Sequence, residues 1–317
     1  MMPADRMRAL PSLGWVEHST PLTNHDAFAR HLGLAALYVK RDDMLDTCAG
    51  GSKVRKLDLL LATPGLREAT RWVSAGAIGS GHLVACTLAA AALGRVLEAH
   101  VFYEPVSAGV VENLACIVSG PTHLQYYACR AQLALAQPQL FTASRLGGAA
   151  VIALGASAPA GVAGIARAAL ELAQQIADGV IAPPDVVYCA LGTGGTAAGI
   201  ALGLGLAGVR CEVRAVRATE RCLVPARAVR RHIERAASWL RQHDVPVLAE
   251  QAVGVRVLDD QLGRGYGVVT QQSLAAVELL RQEAVPLEPI YTGKAFAALI
   301  ADAQRQRVGG RVLFWNT

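Results

Sequence analysis

The stretch CAGGSKVRKLDLLL, Cys48–Leu61, decides the fold. Gly50 and Gly51 read as a tight turn, and Ser52 can cap a helix. Val54, Leu57 and Leu61 then recur as one apolar stripe at helical spacing. Lys53 and Lys56 fall at the start of that helix, where the positive end of the dipole disfavours a cation by roughly 0.3–1 kcal/mol each. Two cations so placed call for an anion beside them, or for an amine that is not charged.

A count sharpens the point. Of the 30 basic residues only four are lysine, namely Lys40, Lys53, Lys56 and Lys294. Arginine serves wherever a generic positive charge is enough, so the lysines are candidates for work that a guanidinium cannot do. A primary amine can lose its proton and condense with a carbonyl. Lys40 and Lys294 read as structural or electrostatic.

Working outward, strands alternate with loops and helices. LAALYVK (Leu34–Lys40), RWVSAGA (Arg71–Ala77), AHVFYE (Ala99–Glu104), VVYCA (Val186–Ala190), CEVRAVRA (Cys211–Ala218) and RVLFWNT (Arg311–Thr317) read as strands. Helices follow Ser52, span His82–Leu93 and begin near Ala197. This alternation predicts parallel sheets covered by helices, with ligands beyond the carboxyl ends of the strands. Three turns lie there: Gly50–Lys53, Gly79–His82 and Gly192–Thr196. The first ten or so residues are expected to be loose.

Composition narrows the function. Hydrophobic residues make up 53% and charged residues 17% of 317, enough for a large core. The net charge of +5 is spread along the chain without a basic stripe or interleaved aromatics, which argues against nucleic acid. Seven cysteines form no C-x-x-C pair and no signal peptide is seen, so reduced thiols and a cytoplasmic location are expected. Histidine spacing suggests no metal site. The uncharged runs Ala149–Ala166 and Cys189–Val209 are broken by glycine and fit soluble αβ patterns, so no membrane span is expected.

The loop ALGTGGTAAG has the physics of an anion cradle: converging backbone N–H groups at a helix start. It also fits Gly192-x-Gly194-x-x-Ala197, a variant dinucleotide fingerprint, which would make the chain a nicotinamide-dependent oxidoreductase. That reading wants an acidic residue at the end of the next strand. Glu212 lies at the strand's start instead, and Glu220 comes too late. A phosphate cradle beside a privileged lysine points to pyridoxal phosphate, which needs an amine for its aldehyde and a seat for its dianion. A non-catalytic binder is a third reading.

VKRDD…GGSKVRKLDLLLA, SAGAIGSGH, GTGGTAAGIALGL, GYG (Gly265–Gly267) and EPIYTGKAFAALI occur in this order. Together they resemble the D-cysteine desulfhydrase / 1-aminocyclopropane-1-carboxylate (ACC) deaminase family of fold-type II pyridoxal-phosphate enzymes. The resemblance runs from about Pro21 to Leu313. It implies an α/β fold like that of the tryptophan synthase β chain: two three-layer αβα domains with the coenzyme in the cleft, usually in a homodimer. Residues 1–50 with 160–317 would form the large coenzyme-binding domain, and 51–159 the small one. It implies a Schiff-base lysine at Lys53 and a phosphate-contacting lysine at Lys56. The phosphate loop falls on Gly192, Thr193, Gly194, Gly195 and Thr196. Ser80 falls on the catalytic serine, and Tyr266 and Tyr291 on the two active-site tyrosines. Ser80, Gly81 and His82 fall on the family's S-N-H, the segment that meets substrate.

After the second tyrosine, deaminases of the cyclopropane acid carry glutamate against the pyridine nitrogen, whereas desulfhydrases carry threonine. Thr292 stands there. A hydroxyl leaves that nitrogen largely neutral, which suits elimination of a good leaving group. The resemblance therefore implies α,β-elimination on a small cysteine-like amino acid, giving pyruvate and ammonia. β-Replacement and deamination of a cyclopropane acid are the alternatives. Ser52, Gly79 and Gly81 stand where the family carries longer side chains, which shortens three side chains on one wall. That departure opens the pocket to a bulkier substrate or removes activity.

Overall fold

Continuous apolar runs such as Ala36–Val39 and Val186–Leu191 are too uniform for a sheet with one wet face, and they are buried on both. The computed structural model describes residues 3–317. Its first part runs α1 (Pro3–Arg8), β1 (Leu22–Asn24), α2 (Asp26–His31), β2 (Ala36–Arg41), α3 (Gly51–Leu60) and α4 (Pro64–Arg67). There follow β3 (Arg71–Ala77), α5 (Gly81–Ala92), β4 (Val96–Phe102), α6 (Ala108–Ser119), β5 (Thr122–Tyr127), α7 (Arg130–Ala136), β6 (Arg145–Leu146) and β7 (Ala149–Val151). The chain continues through α8 (Pro159–Ala177), β8 (Val186–Leu191), α9 (Gly195–Leu206), β9 (Glu212–Arg217), α10 (Ala226–Gln242) and β10 (Val255–Leu258). It closes with α11 (Gln271–Gln282), α12 (Thr292–Gln304) and β11 (Arg311–Asn316).

Two sheets result. One has six strands in the order β1-β2-β11-β8-β9-β10, parallel except for β1; the other has five, β5-β4-β3-β7-β6, parallel except for β6. The chain is α/β, with helices covering both sheets.

Helices α3, α8 and α9 stack across the middle of the molecule. A Cβ at Gly164 of α8 would lie 2.1 Å from the Arg55 carbonyl oxygen, and one at Gly199 of α9 would lie 2.5 Å from the Ile165 Cβ. Only glycine permits these approaches. The glycines that break the uncharged runs are thus a packing seam, and no helix among the described residues is long and apolar enough to cross a membrane.

The same stack encloses an ion network. Arg55 Nε and Nη2 donate to the two Asp42 carboxylate oxygens at 2.8 and 2.7 Å, and its Nη1 donates to Glu171 at 2.9 Å. Lys40, wholly buried, donates to Glu171, to Gln175 at 2.8 Å and to the Thr20 carbonyl at 2.8 Å. Trp315 Nε1 donates to Asp42 at 2.7 Å. Arg55 lies on α3 between Lys53 and Lys56, so this network fixes the helix that presents both amines.

The strand readings hold within a few residues, with α3 opening at Gly51 and β4 at Val96. The amino-terminal expectation fails over Pro3–Arg8, because Met7 of α1 is fully buried in the core of the six-stranded sheet; Met1 and Met2 lie outside the described residues. Edge strands β5 and β10 and the short β1, β6 and β7 escaped the pattern reading. β5 is mostly exposed and so lacks an apolar face.

Candidate active site

Four consecutive residues enter α3 with left-handed backbone: Cys48, Ala49, Gly50 and Gly51, at φ of 49°, 64°, 72° and 68°. For Cys48 and Ala49 this conformation costs roughly 1–2 kcal/mol each. The turn brings Lys53 to the third residue of α3, with Nζ 3.4 Å from the Ser52 hydroxyl. Burial lowers the Lys53 pKa and the Glu288 carboxylate works against that, so the neutral amine is favoured relative to a surface lysine.

The second turn of α3 carries Lys56, which is buried. Its Nζ donates to the Gly155 carbonyl and to Ser157 Oγ, each at 3.2 Å, and a Cβ on Gly195 would lie 3.2 Å from it. Lys56 thus sits against the first residue of α9. Gly192–Thr196 form the turn from β8 into that helix, with Gly194 at φ 93°. Ser157 Oγ meets Thr193 Oγ1 at 2.6 Å, and His232 Nε2 meets the Thr193 carbonyl at 3.1 Å. Burial, then Lys53, pushes the Lys56 pKa well down. Two amines, a helix N-terminus and hydroxyl donors converge where Lys56 meets two neutral acceptors, the Gly155 carbonyl and Ser157 Oγ. A dianion satisfies that arrangement.

Across the cleft, Tyr291 OH donates to Tyr266 OH at 3.0 Å, with the rings edge to face. Tyr291 comes from the residue before α12, and its Cε1 would lie 3.2 Å from a Cβ on Gly192. Burial holds the Tyr266 pKa up at about 12 and raises that of Tyr291 well above its ordinary value. Both hydroxyls therefore keep their protons near neutrality. Thr292 opens α12; its hydroxyl accepts the Glu288 N–H at 2.9 Å. The Glu288 carboxylate caps the same helix start, accepting N–H groups from Ile290, Tyr291 and Thr292 at 2.8, 2.5 and 2.6 Å. Lys53, Tyr266 and Tyr291 are half-buried and Glu288 is more exposed, so each keeps surface that water can reach. These residues line the candidate cleft.

The turn after β3 forms the remaining wall. Gly79 donates its N–H to Glu104 at 2.7 Å and its carbonyl accepts Asn113 Nδ2 at 2.8 Å, which leaves Ser80 as N-cap residue of α5. His82 turns away from the cleft towards Ser74 Oγ, 2.9 Å from Nε2, and burial pushes its pKa down to about 3. It is a neutral ring behind the loop. The three shortened positions differ. A Cβ on Gly79 would lie 2.8 Å from Val110, so α6 already fills that space. Ser52 is buried beside Lys53. Only Gly81 faces open space, with nothing within 4 Å of a Cβ built there. The expected three-fold widening is confined to one position.

Sequence reasoning missed Glu288, Ser157, Glu104 and His232. Glu288 was legible as the acidic residue four before Thr292, within reach of a helix start. Ser157 and His232 lie far along the chain from the loop they support and carry no local signal.

A profile of the family described as "Pyridoxal-phosphate dependent enzyme" matches residues 16–317. The chain belongs to the pyridoxal-phosphate dependent enzyme family. Among its relatives within the family, the D-cysteine desulfhydrase of Salmonella paratyphi C (strain RKS4594) is 33% identical over 329 residues, covering 100% of this chain and 96% of that protein. That of Serratia proteamaculans (strain 568) is 30% identical over 322 residues, covering 98% and 94%. The crystal structure of an ACC deaminase homologue superposes with a TM-score of 0.81 at 25% identity over 99% of this chain and 94% of that one. Threonine deaminase isoform 2 from Solanum lycopersicum, at 15% identity and a TM-score of 0.65 over 99% and 83%, shares the fold-type II architecture. The residues present fit this enzyme family's coenzyme: an amine with depressed pKa at Lys53 for the aldehyde, and the Lys56–Gly195 corner for the phosphate. The dinucleotide reading falls with it. Glu212, which would have had to meet a ribose, is held by Arg214 at 2.8 Å and by Arg256 at 3.0 Å.

Proposed function

We propose that this pyridoxal-phosphate dependent enzyme is a lyase that eliminates the β-substituent of a small cysteine-like amino acid, releasing pyruvate and ammonia. The observation that carries the reading is the Lys53 amine held beside Lys56 at the Gly192–Thr196 turn, with the Tyr266–Tyr291 hydroxyl pair packed against Gly192 of the same turn. Its likeness over nearly its whole length to D-cysteine desulfhydrases supports the substrate class. When bound, pyridoxal phosphate supplies the electron sink that makes the substrate's α-proton acidic. Lys53 anchors it and moves that proton. Lys56 and Gly192–Thr196 bind its phosphate. Ser80, at the N-terminus of α5, orients the substrate carboxylate. The Tyr266–Tyr291 pair, protonated near neutrality, delivers a proton to the departing sulfur. Thr292 would face the ring nitrogen of the bound coenzyme, and His82, bonded to Ser74, would back the Ser80 turn. Thr292 in place of glutamate disfavours opening of a cyclopropane acid, while the space at Gly81 leaves room for a longer substituent or for an incoming nucleophile in β-replacement.

Residues 1–50 with 160–317 are assigned to the large domain and 51–159 to the small one; strand membership, with β3–β7 in one sheet, supports this. A homodimer is proposed as well. On α6 and β5, Val111, Val118 and Tyr126 are more than half exposed, which is unfavourable for a lone chain in water. Light scattering on the purified protein tests it. Seven free cysteines support a cytoplasmic location.

The test is turnover of D- and L-cysteine by the coenzyme-loaded protein, with Lys53→Ala alongside. Sulfide and pyruvate in equal amounts, a visible absorption band absent from the variant, and a rate loss of about 10²- to 10⁴-fold are expected. No elimination from any β-substituted amino acid would overturn the reading.

A further inference from the structure

The loop between β10 and α11 grows out of the six-stranded sheet, and its start is tied to α12 by Lys294, whose Nζ donates to the Leu262 carbonyl at 2.9 Å. Its tip packs elsewhere. The Tyr266 ring joins the apolar cluster of Val73, Phe102, Leu133 and Leu140, which belongs to the five-stranded sheet. A Cβ on the neighbouring Gly267 would lie 3.1 Å from Pro105 and 3.3 Å from a Glu104 carboxylate oxygen. The loop is thus a strap laid from one domain onto the other, and the hydroxyl it carries is half of the tyrosine pair.

Two charged residues fasten the strap. Arg130, at the start of α7, donates Nη1 to Glu220 Oε2 at 3.0 Å; Glu220 follows β9. The other Glu220 oxygen accepts the Tyr266 backbone N–H at 3.0 Å. The Arg130 guanidinium also lies 5.1 Å over the Tyr266 ring and 4.8 Å over the Phe102 ring. One carboxylate therefore holds an arginine from one domain and a backbone amide from the other, and the arginine covers the ring whose amide is held. We propose that Arg130 and Glu220 form an interdomain clasp that sets the Tyr266–Tyr291 hydroxyl pair for catalysis. Both are positioning residues. Their side chains are 28% and 37% exposed, so the clasp lies at the rim of the cleft, where added salt screens it. Four other groups face it. Thr219 Oγ1 donates to Glu220 at 3.2 Å, the Glu104 carboxylate lies close enough to feel the Arg130 charge, and the buried Lys294 amine lies close enough to feel the Glu220 charge. The fourth is the tyrosine pair itself.

The inference rests on the reading of Tyr266 as catalytic, yet its decisive measurement needs no substrate. Hydrogen exchange is followed on the coenzyme-loaded wild type, Arg130→Met, Arg130→Lys, Glu220→Gln and the Arg130→Met/Glu220→Gln double variant. The amides of residues 264–268 are expected to exchange about tenfold faster in Arg130→Met and Glu220→Gln, the loss of one hydrogen bond to a charged group, with the strands unchanged. The double variant is expected to add little to either single one. Arg130→Lys, keeping the charge without the planar fork, is expected to fall between. The kcat is expected to drop about 10- to 100-fold in step with the loosened loop while the melting temperature stays close to wild type. Loop protection unchanged in the single variants, or additive effects in the double one, would overturn the clasp. If Arg130→Met does not fold, the near-isosteric Glu220→Gln and Arg130→Lys decide alone. A loosened loop in an enzyme that eliminates nothing from β-substituted amino acids would sustain the clasp while sinking the proposed activity.

Discussion

Glu288 and Thr292 lock each other at the start of α12. The Glu288 carboxylate accepts the Thr292 N–H at 2.6 Å, while the Thr292 hydroxyl accepts the Glu288 N–H at 2.9 Å and lies 3.2 Å from its carbonyl oxygen. The position at which the resemblance separates elimination from ring opening is thus held by a neighbouring carboxylate that also works to raise the pKa of Lys53. Glu288→Gln removes that charge, and the Lys53 pKa then falls further. The acidic limb of the kcat profile, which reports the enzyme–substrate complex in which substrate has displaced Lys53 from the coenzyme and the amine must lose its proton, is expected to move to lower pH. A pH–rate series on both proteins measures it, and an unmoved limb refutes the coupling. Loss of the charged cap costs about 0.5–2 kcal/mol, read by denaturant melts.

Gly79 and Gly81 are separated by one residue and should respond oppositely. Gly79→Ala forces Cβ into Val110, and overpacking of this kind costs about 1–3 kcal/mol. A Cβ on Gly81 meets nothing within 4 Å, so Gly81→Asn is expected to leave stability nearly unchanged. Its effect falls on substrate choice, with kcat/KM lowered for long β-substituents relative to cysteine. Thermal melts and a substrate series separate the two.

Ser157 joins Lys56 to Thr193, so Ser157→Ala breaks both links at once. At about 1 kcal/mol per hydrogen bond, coenzyme affinity is expected to fall roughly tenfold or more, measured by equilibrium dialysis, with less effect on kcat at saturation.

Glu171 ties Arg55 and Lys40 together under the lysine helix. Burial alone would raise its pKa, but Arg55 and then Lys40 hold it below the ordinary 4.5. A depressed carboxylate stabilises the fold above its unfolded pKa, and that contribution disappears as pH falls through the folded value. Glu171→Gln is expected to lose about 3 kcal/mol at neutral pH by leaving buried cations short of an anion. The gap to wild type should narrow below about pH 4. A gap independent of pH would contradict the assignment.

The strands and the three glycine-bearing turns beyond their carboxyl ends were legible because buried parallel strands are apolar throughout and glycines punctuate their ends. Lys53 and Lys56 stood out because their charge contradicts the dipole of the helix that carries them. Edge strand β5 was not legible, since a mostly wet strand shows no alternation. Ser157 and His232 reach Thr193 only through tertiary folding. The different fates of Gly79 and Gly81 depend on where Val110 of α6 comes to rest, which no local pattern encodes.

The burial of the lysines carries a consequence for handling the protein. Lys40 and Lys294 have no exposed surface and Lys56 has 2%, whereas Lys53 opens into the cleft. Among the described residues of the coenzyme-free protein, an acylating or aldehyde reagent meets one lysine it can reach. Amine-directed labelling, crosslinking or resin attachment would therefore act as an active-site reagent. Fluorophore tags and immobilised forms should instead be built on the exposed thiols of Cys129 and Cys222.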